Sequence, residues 1–247
     1  MKVALVGYGQ MGKMIEACAI KRGDEVVARI DPYGDADFKD ITAEAVKDAE
    51  VVICFTQPNV ALENISKILA LNKPLVMGTT GWTEQLEEVR SQVDQAGVGM
   101  VYSSNFSLGV NLFFRMVKEA AGFIDRFDDY DIAAHEFHHK KKRDSPSGTA
   151  ITLGNILLGQ IKRKTKLETG RLDRMPEDNE LHLSSTRIGS IPGTHQVQFD
   201  SAFDTIELTH TARTREGFAT GALVAAEWVI NQQGLFTESD LMDHLLS

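Results

Sequence analysis

Residues 2–12, KVALVGYGQMG, pass from a short apolar run through a glycine-rich bend into a stretch with helical spacing. Gly7 permits the tight turn, Gly9 lets the backbone approach a pyrophosphate, and Gly12 allows the helix to pack closely on the sheet. Amides without partners at the start of that helix would face the negative charge, with no obligatory lysine. A glycine triplet alone is a weak signal, but its place at a strand-to-helix junction favours a dinucleotide over a merely structural turn. Gln10 and Met11 lie inside the bend and are placed with the cofactor-binding residues, although Met11 and Met14 also have the spacing of residues that pack a helix. Asp31 falls nineteen residues beyond Gly12, at the expected end of the second strand, where a carboxylate can accept hydrogen bonds from an adenosine ribose. A phosphate on that ribose would be repelled, so NADH is expected to bind at least as well as NADPH. The plainer reading is that Asp31 only opens a turn with Pro32.

Outward from the bend, the strands EVVARID, VVICFT, PLVMGTTG and VGMVYSSNFS alternate with helical TAEAVKDAE, NVALENISKILALN and TEQLEEVRSQVDQAG. That alternation is the pattern of a parallel sheet covered on both faces. The loops FTQP and Gly78-Thr79-Thr80-Gly81 follow successive strands at their carboxyl ends, where open parallel sheets form crevices. Gly78, Thr79 and Thr80 could offer backbone groups and hydroxyls near a nicotinamide, with ordinary loop chemistry as the alternative. From Leu108, LGVNLFFRMVKEAAG has the spacing of a connecting helix. Beyond it, YDIAAHEFHH ends a strand, GTAITLGNILLGQI is helical, and LHLSSTRIG, THQVQFDSA and DTIELTHTA are strands of an antiparallel or mixed sheet. FATGALVAAEWVINQ returns to helical spacing and is expected to pack on the first domain. The expected organisation is α/β, with a Rossmann-like dinucleotide-binding domain over residues 1–108, completed by 216–247. Residues 109–215 are expected to form a second α+β domain on a mixed sheet, and the two crossings between domains to form a hinge.

With 43% hydrophobic and 25% charged residues in a chain of 247, overall disorder is excluded. A net charge of −9 and an isoelectric point near 5.3 oppose bulk attraction to nucleic acid. Cys18 and Cys54 sit in apolar runs without CxxC spacing, which argues against a disulfide framework or thiolate zinc site and for a reducing cytoplasm. No secretory leader is expected. No apolar run approaches the roughly 20 residues that span a bilayer, so no membrane partner is expected.

The richest chemistry lies in His135-Glu136-Phe137-His138-His139-Lys140-Lys141-Lys142-Arg143-Asp144, followed by Ser145-Pro146-Ser147-Gly148-Thr149. In extended backbone His138 and His139 point to opposite sides, so one can move a proton while the other binds. Lys142 offers a fixed positive charge, and Ser147 with Gly148 and Thr149 can cap the next helix while presenting donors to a carboxylate. A small dianionic substrate fits. A zinc centre competes, but the His-Glu-x-x-His order of a helical metalloprotease is missing and no metal is expected. A solvated basic surface is the bland alternative. A seryl hydrolase lacks its Gly-x-Ser-x-Gly turn, and Cys54, the candidate nucleophile of an aldehyde dehydrogenase, has a strand position that favours burial. A nucleotide-sensing assembly module would leave the His and Lys cluster without a task.

The stretch EFHHKKKRDSPSGTA, supported by GYGQMG, FTQP, GTTG, SSNFSLGVN, RIGSIPGTHQVQF and TARTREGFATGA, resembles the 4-hydroxy-tetrahydrodipicolinate reductase (dihydrodipicolinate reductase) family of lysine and diaminopimelate biosynthesis. The resemblance spans nearly the whole chain. It implies a substrate-binding and oligomerisation role for the second domain, assembly as a homotetramer, and reduction of the cyclic dicarboxylate derived from 4-hydroxy-tetrahydrodipicolinate to tetrahydrodipicolinate with NADH or NADPH. It implies His138 as general acid, Lys142 as a catalytic residue that stabilises developing charge, and His139 as a contact to a substrate carboxylate. Ser147, Gly148 and Thr149 would cradle a carboxylate. Gly7, Gly12, Asp31 and Gly78 to Thr80 would serve the cofactor, with Ser103 and Phe106 near it. Pro32 stands after Asp31 where relatives often carry a basic residue, which leaves cofactor choice open.

Overall fold

The computed structural model describes residues 1–247, and the chain divides into two compact units, residues 1–108 with 216–247 and residues 109–215. Numbered along the chain, the first unit contains strands β1 (Lys2–Val6), β2 (Glu25–Ile30), β3 (Val51–Cys54), β4 (Leu75–Met77), β5 (Gly99–Tyr102) and β11 (Gly234–Thr237). Its helices are α1 (Gln10–Arg22), α2 (Ala43–Val46), α3 (Ala61–Ala70), α4 (Leu86–Ala96), α7 (Glu216–Val229) and α8 (Glu238–Leu246). The strands form one parallel sheet in the order β11-β5-β4-β3-β1-β2. From β1 the chain steps outward to β2 and then returns to the far side of β1 as β3, so the carboxyl ends of β1 and β3 flank a topological switch point.

Two-sided burial explains why the inner strands β3 and β4, and β1 from Val3 onward, are apolar throughout. Ala4 and Val6 join Val52, Cys54, Ile65 and Val89 on the face covered by α3 and α4. Val3 and Leu5 join Ile15, Ala19, Leu223 and Ala226 on the face covered by α1 and α7.

Helix α2 is much shorter than the nine residues expected of TAEAVKDAE. Thr42 caps it by accepting from the Ala45 amide, but the Glu50 amide already donates to the Lys2 carbonyl at 2.9 Å, so the sheet takes up the chain before Val51. Strand β11 and helix α8 were not expected. GLFT is too short and too glycine-led to read as a strand, yet it pairs in parallel with β5 and completes the sheet. No helix is long and apolar enough to cross a membrane.

The second unit holds α5 (Leu108–Ile124), β6 (Asp131–His138), α6 (Gly148–Gln160), β7 (Lys166–Glu168), β8 (Glu180–Arg187), β9 (Thr194–Asp200) and β10 (Thr205–Thr211). Its sheet runs β10-β9-β6-β8-β7, with β6 parallel to β8 and antiparallel to β9, the mixed sheet the sequence indicates. Phe113 and Val117 of α5 and Leu153 and Leu157 of α6 pack on Ile132, Ala134, Leu183 and Val197 of the sheet. The two-residue period of β6 carries that buried face on to Glu136 and His138, where the apolar row turns polar.

Candidate active site

At the nucleotide end, Gly7 has φ 89°, and a Cβ there would collide with the Phe55 carbonyl. A Cβ at Gly12 would strike the Gly7 carbonyl, so the close approach is between α1 and the bend itself rather than the sheet. Around Gly9 the space is open to 4 Å, and no side chain caps the first turn of α1. Asp31 does two things at once. Its Oδ2 accepts the Tyr8 amide at 2.6 Å, tying the glycine bend to the end of β2, while its Oδ1 accepts the Tyr33 amide at 2.8 Å and opens the turn. The Tyr8 hydroxyl bonds Glu16, which pairs with Arg29. A cavity of about 470 Å³ at the switch point is lined by Gly7, Gly9, Asp31, Tyr33, Phe55 and Thr56 among others. Open backbone at Gly9, uncapped helix amides and a fixed carboxylate in a cavity of this size fit a dinucleotide.

A second cavity, of about 490 Å³, lies at the ends of β4 and β5 and is lined by Thr79, Thr80, Trp82, Ser103, Ser104 and Glu238 among others. Thr79 is buried: its hydroxyl accepts the Thr56 amide at 2.8 Å and its carbonyl accepts the Trp82 indole N–H at 2.8 Å. Ser103 accepts the Asn105 amide at 2.9 Å, and Gly78 is required because a Cβ would enter the Phe55 ring. Gln10 is exposed at the first position of α1. The side chains of Met11 and Phe106 are given to packing: Met11 lies against the core under α1 and α7, and Phe106 sits edge-on to Phe55 with centroids 6.2 Å apart.

At the chemical end, one carboxylate gathers four elements. Glu136 on β6 is fully buried, and its Oε1 accepts the Ser147 amide at 2.9 Å, the Ser185 hydroxyl at 3.0 Å and the Arg187 guanidinium at 2.9 Å. Its Oε2 accepts the Ser147 hydroxyl and lies 3.4 Å from His138 Nε2 and 3.5 Å from His195 Nε2. The sheet register builds this cluster, since Glu136 pairs with Ser185 on β8 and His195 on β9, and His138 pairs with Arg187. Burial pushes the Glu136 carboxyl up, but hydrogen bonds from His195, Ser147 and Arg187 outweigh it and hold the group well below the usual carboxylate range.

His138 is 8% exposed, and neither ring nitrogen has a hydrogen-bond partner. Burial lowers its pKa, Glu136 opposes that shift, and His195, Lys142 and Arg187 reinforce it. A Cβ on Gly193 would stand 2.8 Å from the His138 ring, so glycine there makes room for the imidazole. His139 lies just past the strand, half-buried, its ring perpendicular to that of His138. Lys142 pairs with Asp144 at 2.9 Å. Ser147 caps α6 by accepting the Ala150 amide at 3.1 Å, while its own amide and hydroxyl go to Glu136 instead of outward. Gly148 is exposed in open space at the start of that helix, with Thr149 half-buried beside it.

Glu136, His138 and His195 each offer a ligand atom, all within 4.8 Å of one another, a spacing a small cation could use. The carboxylate is nonetheless satisfied by two serines and a guanidinium, and the cation beside it would oppose a metal.

Residues 1–106 match the family model for "Dihydrodipicolinate reductase, N-terminus" and residues 109–242 that for "Dihydrodipicolinate reductase, C-terminus". The chain belongs to the dihydrodipicolinate reductase family. It is 40% identical over 247 residues to a 4-hydroxy-tetrahydrodipicolinate reductase of Christiangramia forsetii, covering 99% of both chains. To the protein of the same name from Methanoregula boonei it is 38% identical, covering 98% of this chain and 97% of the other. Among solved structures it is similar to a dipicolinate-bound dihydrodipicolinate reductase from a Paenisporosarcina species, with a TM-score of 0.79 and 23% identity over 96% of this chain and 97% of that one, a likeness of fold.

Within this family member, Glu136, Ser185, Arg187 and His195 are the residues whose contacts the sequence left unread. Glu136 was visible in the His-rich stretch and Arg187 and His195 in RIGSIPGTHQVQF, but nothing local joins segments about fifty residues apart. Polar residues on the buried phase of three strands were the available signal.

Proposed function

We infer that His138 donates the proton in the reaction this chain catalyses, the NAD(P)H-dependent reduction of the cyclic dicarboxylate derived from 4-hydroxy-tetrahydrodipicolinate to tetrahydrodipicolinate. The observation that carries this reading is the state of His138: nine-tenths buried, with both ring nitrogens unbonded, beside a fixed carboxylate, Lys142 and the start of α6. A buried imidazole without partners is costly unless a ligand completes its bonding.

The 4-hydroxyl leaves as water together with a proton from the neighbouring ring carbon, and NADH or NADPH, when bound, would supply the hydride taken up at ring carbon four. His138 delivers a proton to the adjacent ring carbon, so the reaction consumes one proton overall. Lys142 draws the dianion in and stabilises charge that develops on it, turning from Asp144 toward the ligand. His139 meets one carboxylate. Gly148 and Thr149 receive the other at the positive end of α6, held in place by the Ser147 cap. On the nucleotide side Gly7, Gly9, Gln10, Met11 and Gly12 form the pyrophosphate bend, Asp31 holds the ribose, and Gly78, Thr79, Thr80, Ser103 and Phe106 shape the nicotinamide end.

In this reading residues 1–108 with 216–247 bind the cofactor and residues 109–215 bind substrate and supply the contacts of a homotetramer. In that assembly the sheet face of the second unit turned away from α5 and α6, which carries a pocket bordered by Ala133, His135, Phe137 and Gln196, is the face left for subunit contact. Free, buried Cys18 and Cys54 suit the cytoplasm. Oxidation of NADH and NADPH with freshly generated substrate, in wild type and in His138→Gln checked for fold by circular dichroism, tests the assignment. Loss of turnover with intact cofactor binding is expected, and undiminished turnover would reject it.

A further inference from the structure

We propose that Glu136 is the positioning residue of this site, a single buried carboxylate that both seats the Ser147 cap of α6 and fixes the His138 ring while favouring its protonated form against the burial and cations that oppose it. This rests on the reading of His138 as proton donor and deepens it.

The geometry gives Glu136 two tasks through separate oxygens. Oε1 binds the Ser147 amide together with Ser185 and Arg187, while Oε2 takes the Ser147 hydroxyl and faces His138 and His195. The first set locks the loop that starts α6, and with it the orientation of any anion held at that helix end. A carboxylate serving only as a structural tie would have no reason to stand 3.4 Å from an imidazole that otherwise lacks partners.

The charges around His138 decide the second task. Burial disfavours the imidazolium, and so do Arg187 from β8, His195 from β9 and Lys142 from the loop after β6, even with Asp144 paired to that lysine. Glu136 is the charge that acts in the other direction. Its own hydrogen bonds keep it ionised at neutral pH, so its charge is fixed rather than titrating alongside the histidine. Removing the charge should therefore lower the pKa of His138 further, and the acid form would be lost at a lower pH. Removing Arg187, one of the opposing charges, should shift it the other way.

The test compares wild type, Glu136→Gln and Arg187→Gln as full-length folded chains. Two readouts are used: the pH dependence of kcat/KM with both substrates, and the NMR titration of the His138 imidazole without substrate. In Glu136→Gln we expect the alkaline limb and the imidazole midpoint to move acidward by about one unit or more, kcat to fall at least about tenfold, and NADH affinity to hold. In Arg187→Gln both features should move toward alkaline pH, which keeps the idea testable if Glu136→Gln does not fold. Loss of melting temperature alone, with limb and midpoint unmoved, or shifts of the same sign in both variants, would overturn it. The two failures separate cleanly. If His138→Gln keeps wild-type turnover the proton-donor reading falls, whereas a still imidazole midpoint in the Glu136 and Arg187 variants removes the positioning role alone.

Discussion

Glu136 and His195 are direct cross-strand partners in the antiparallel pairing of β6 and β9, with His195 Nε2 3.5 Å from Glu136 Oε2. A slip of one residue would carry one of the two to the opposite face of the sheet. Register is held by the apolar residues on the same phase, Ile132 and Ala134 on β6 and Val197 and Phe199 on β9, all buried under α5 and α6. The core that stabilises the second unit thus sets the geometry of its polar end.

Lys142→Ala should raise the KM for the dicarboxylate and lower kcat together, because the ammonium acts on the anion before and during reaction. A loss of about 100-fold in kcat/KM is expected, with the KM for NADH unchanged, in steady-state assays. Wild-type constants would mean that its pairing with Asp144 is its whole role.

Ser147→Ala removes the α6 cap and one partner of Glu136. The cap alone contributes about 1 kcal/mol, so the melting temperature should drop by at least about 2–4 °C in differential scanning calorimetry. The KM for the dicarboxylate should rise as the helix start loosens.

The two glycines of the bend should fail differently. Gly7→Ala places a side chain at φ 89° against the Phe55 carbonyl, costing about 1–3 kcal/mol of stability or more. Gly9→Ala meets only open space, so its melting temperature should match wild type while the NADH Kd rises about tenfold or more. Titration of both variants by fluorescence, beside their melting curves, separates strain from lost ligand approach.

Asp31→Ala should weaken NADH by about tenfold and NADPH less, since the carboxylate that favours a ribose hydroxyl repels a phosphate. A strong wild-type preference for NADPH in the same binding titration would contradict this. Some loss for both cofactors is expected because Asp31 also anchors the Tyr8 amide.

Stability should fall as the solution is made mildly acidic. Burial is the largest cause holding His135, His138 and His210 below the ordinary 6.5. Their folded pKa values are depressed, so below 6.5 the unfolded chain takes up protons that the folded chain refuses. Melting temperature should therefore decline as pH drops through the window just below 6.5, before the carboxylates of Glu136 and Glu180 contribute, since both are held low and matter only at stronger acidity. His210→Gln should flatten the decline in a calorimetric pH series.

Much of this was legible because it is local. The glycine bend, Asp31 at the end of β2 and the His138 to Thr149 loop are each written in one continuous stretch, and strand periodicity puts Glu136 and His138 on one face. What escaped depends on pairing between distant segments. Arg187 and His195 join Glu136 only through the β6–β8 and β6–β9 registers, and GLFT becomes a strand only because β5 offers it an edge. Helix α2 was overread because Ala, Glu and Lys favour helix locally while Glu50 is claimed by the Lys2 carbonyl. The sequence likewise suggested that Ser147 presents donors outward, but the buried charge of Glu136 recruits them first.

The most direct measurement is a single-turnover experiment in which wild type and His138→Gln, each saturated with NADH, are mixed with freshly generated 4-hydroxy-tetrahydrodipicolinate and NADH oxidation is followed. The expected result is a rate at least about 100-fold lower in the variant, with unchanged NADH affinity and circular dichroism. Equal rates in the two proteins would contradict the placement of proton transfer at His138.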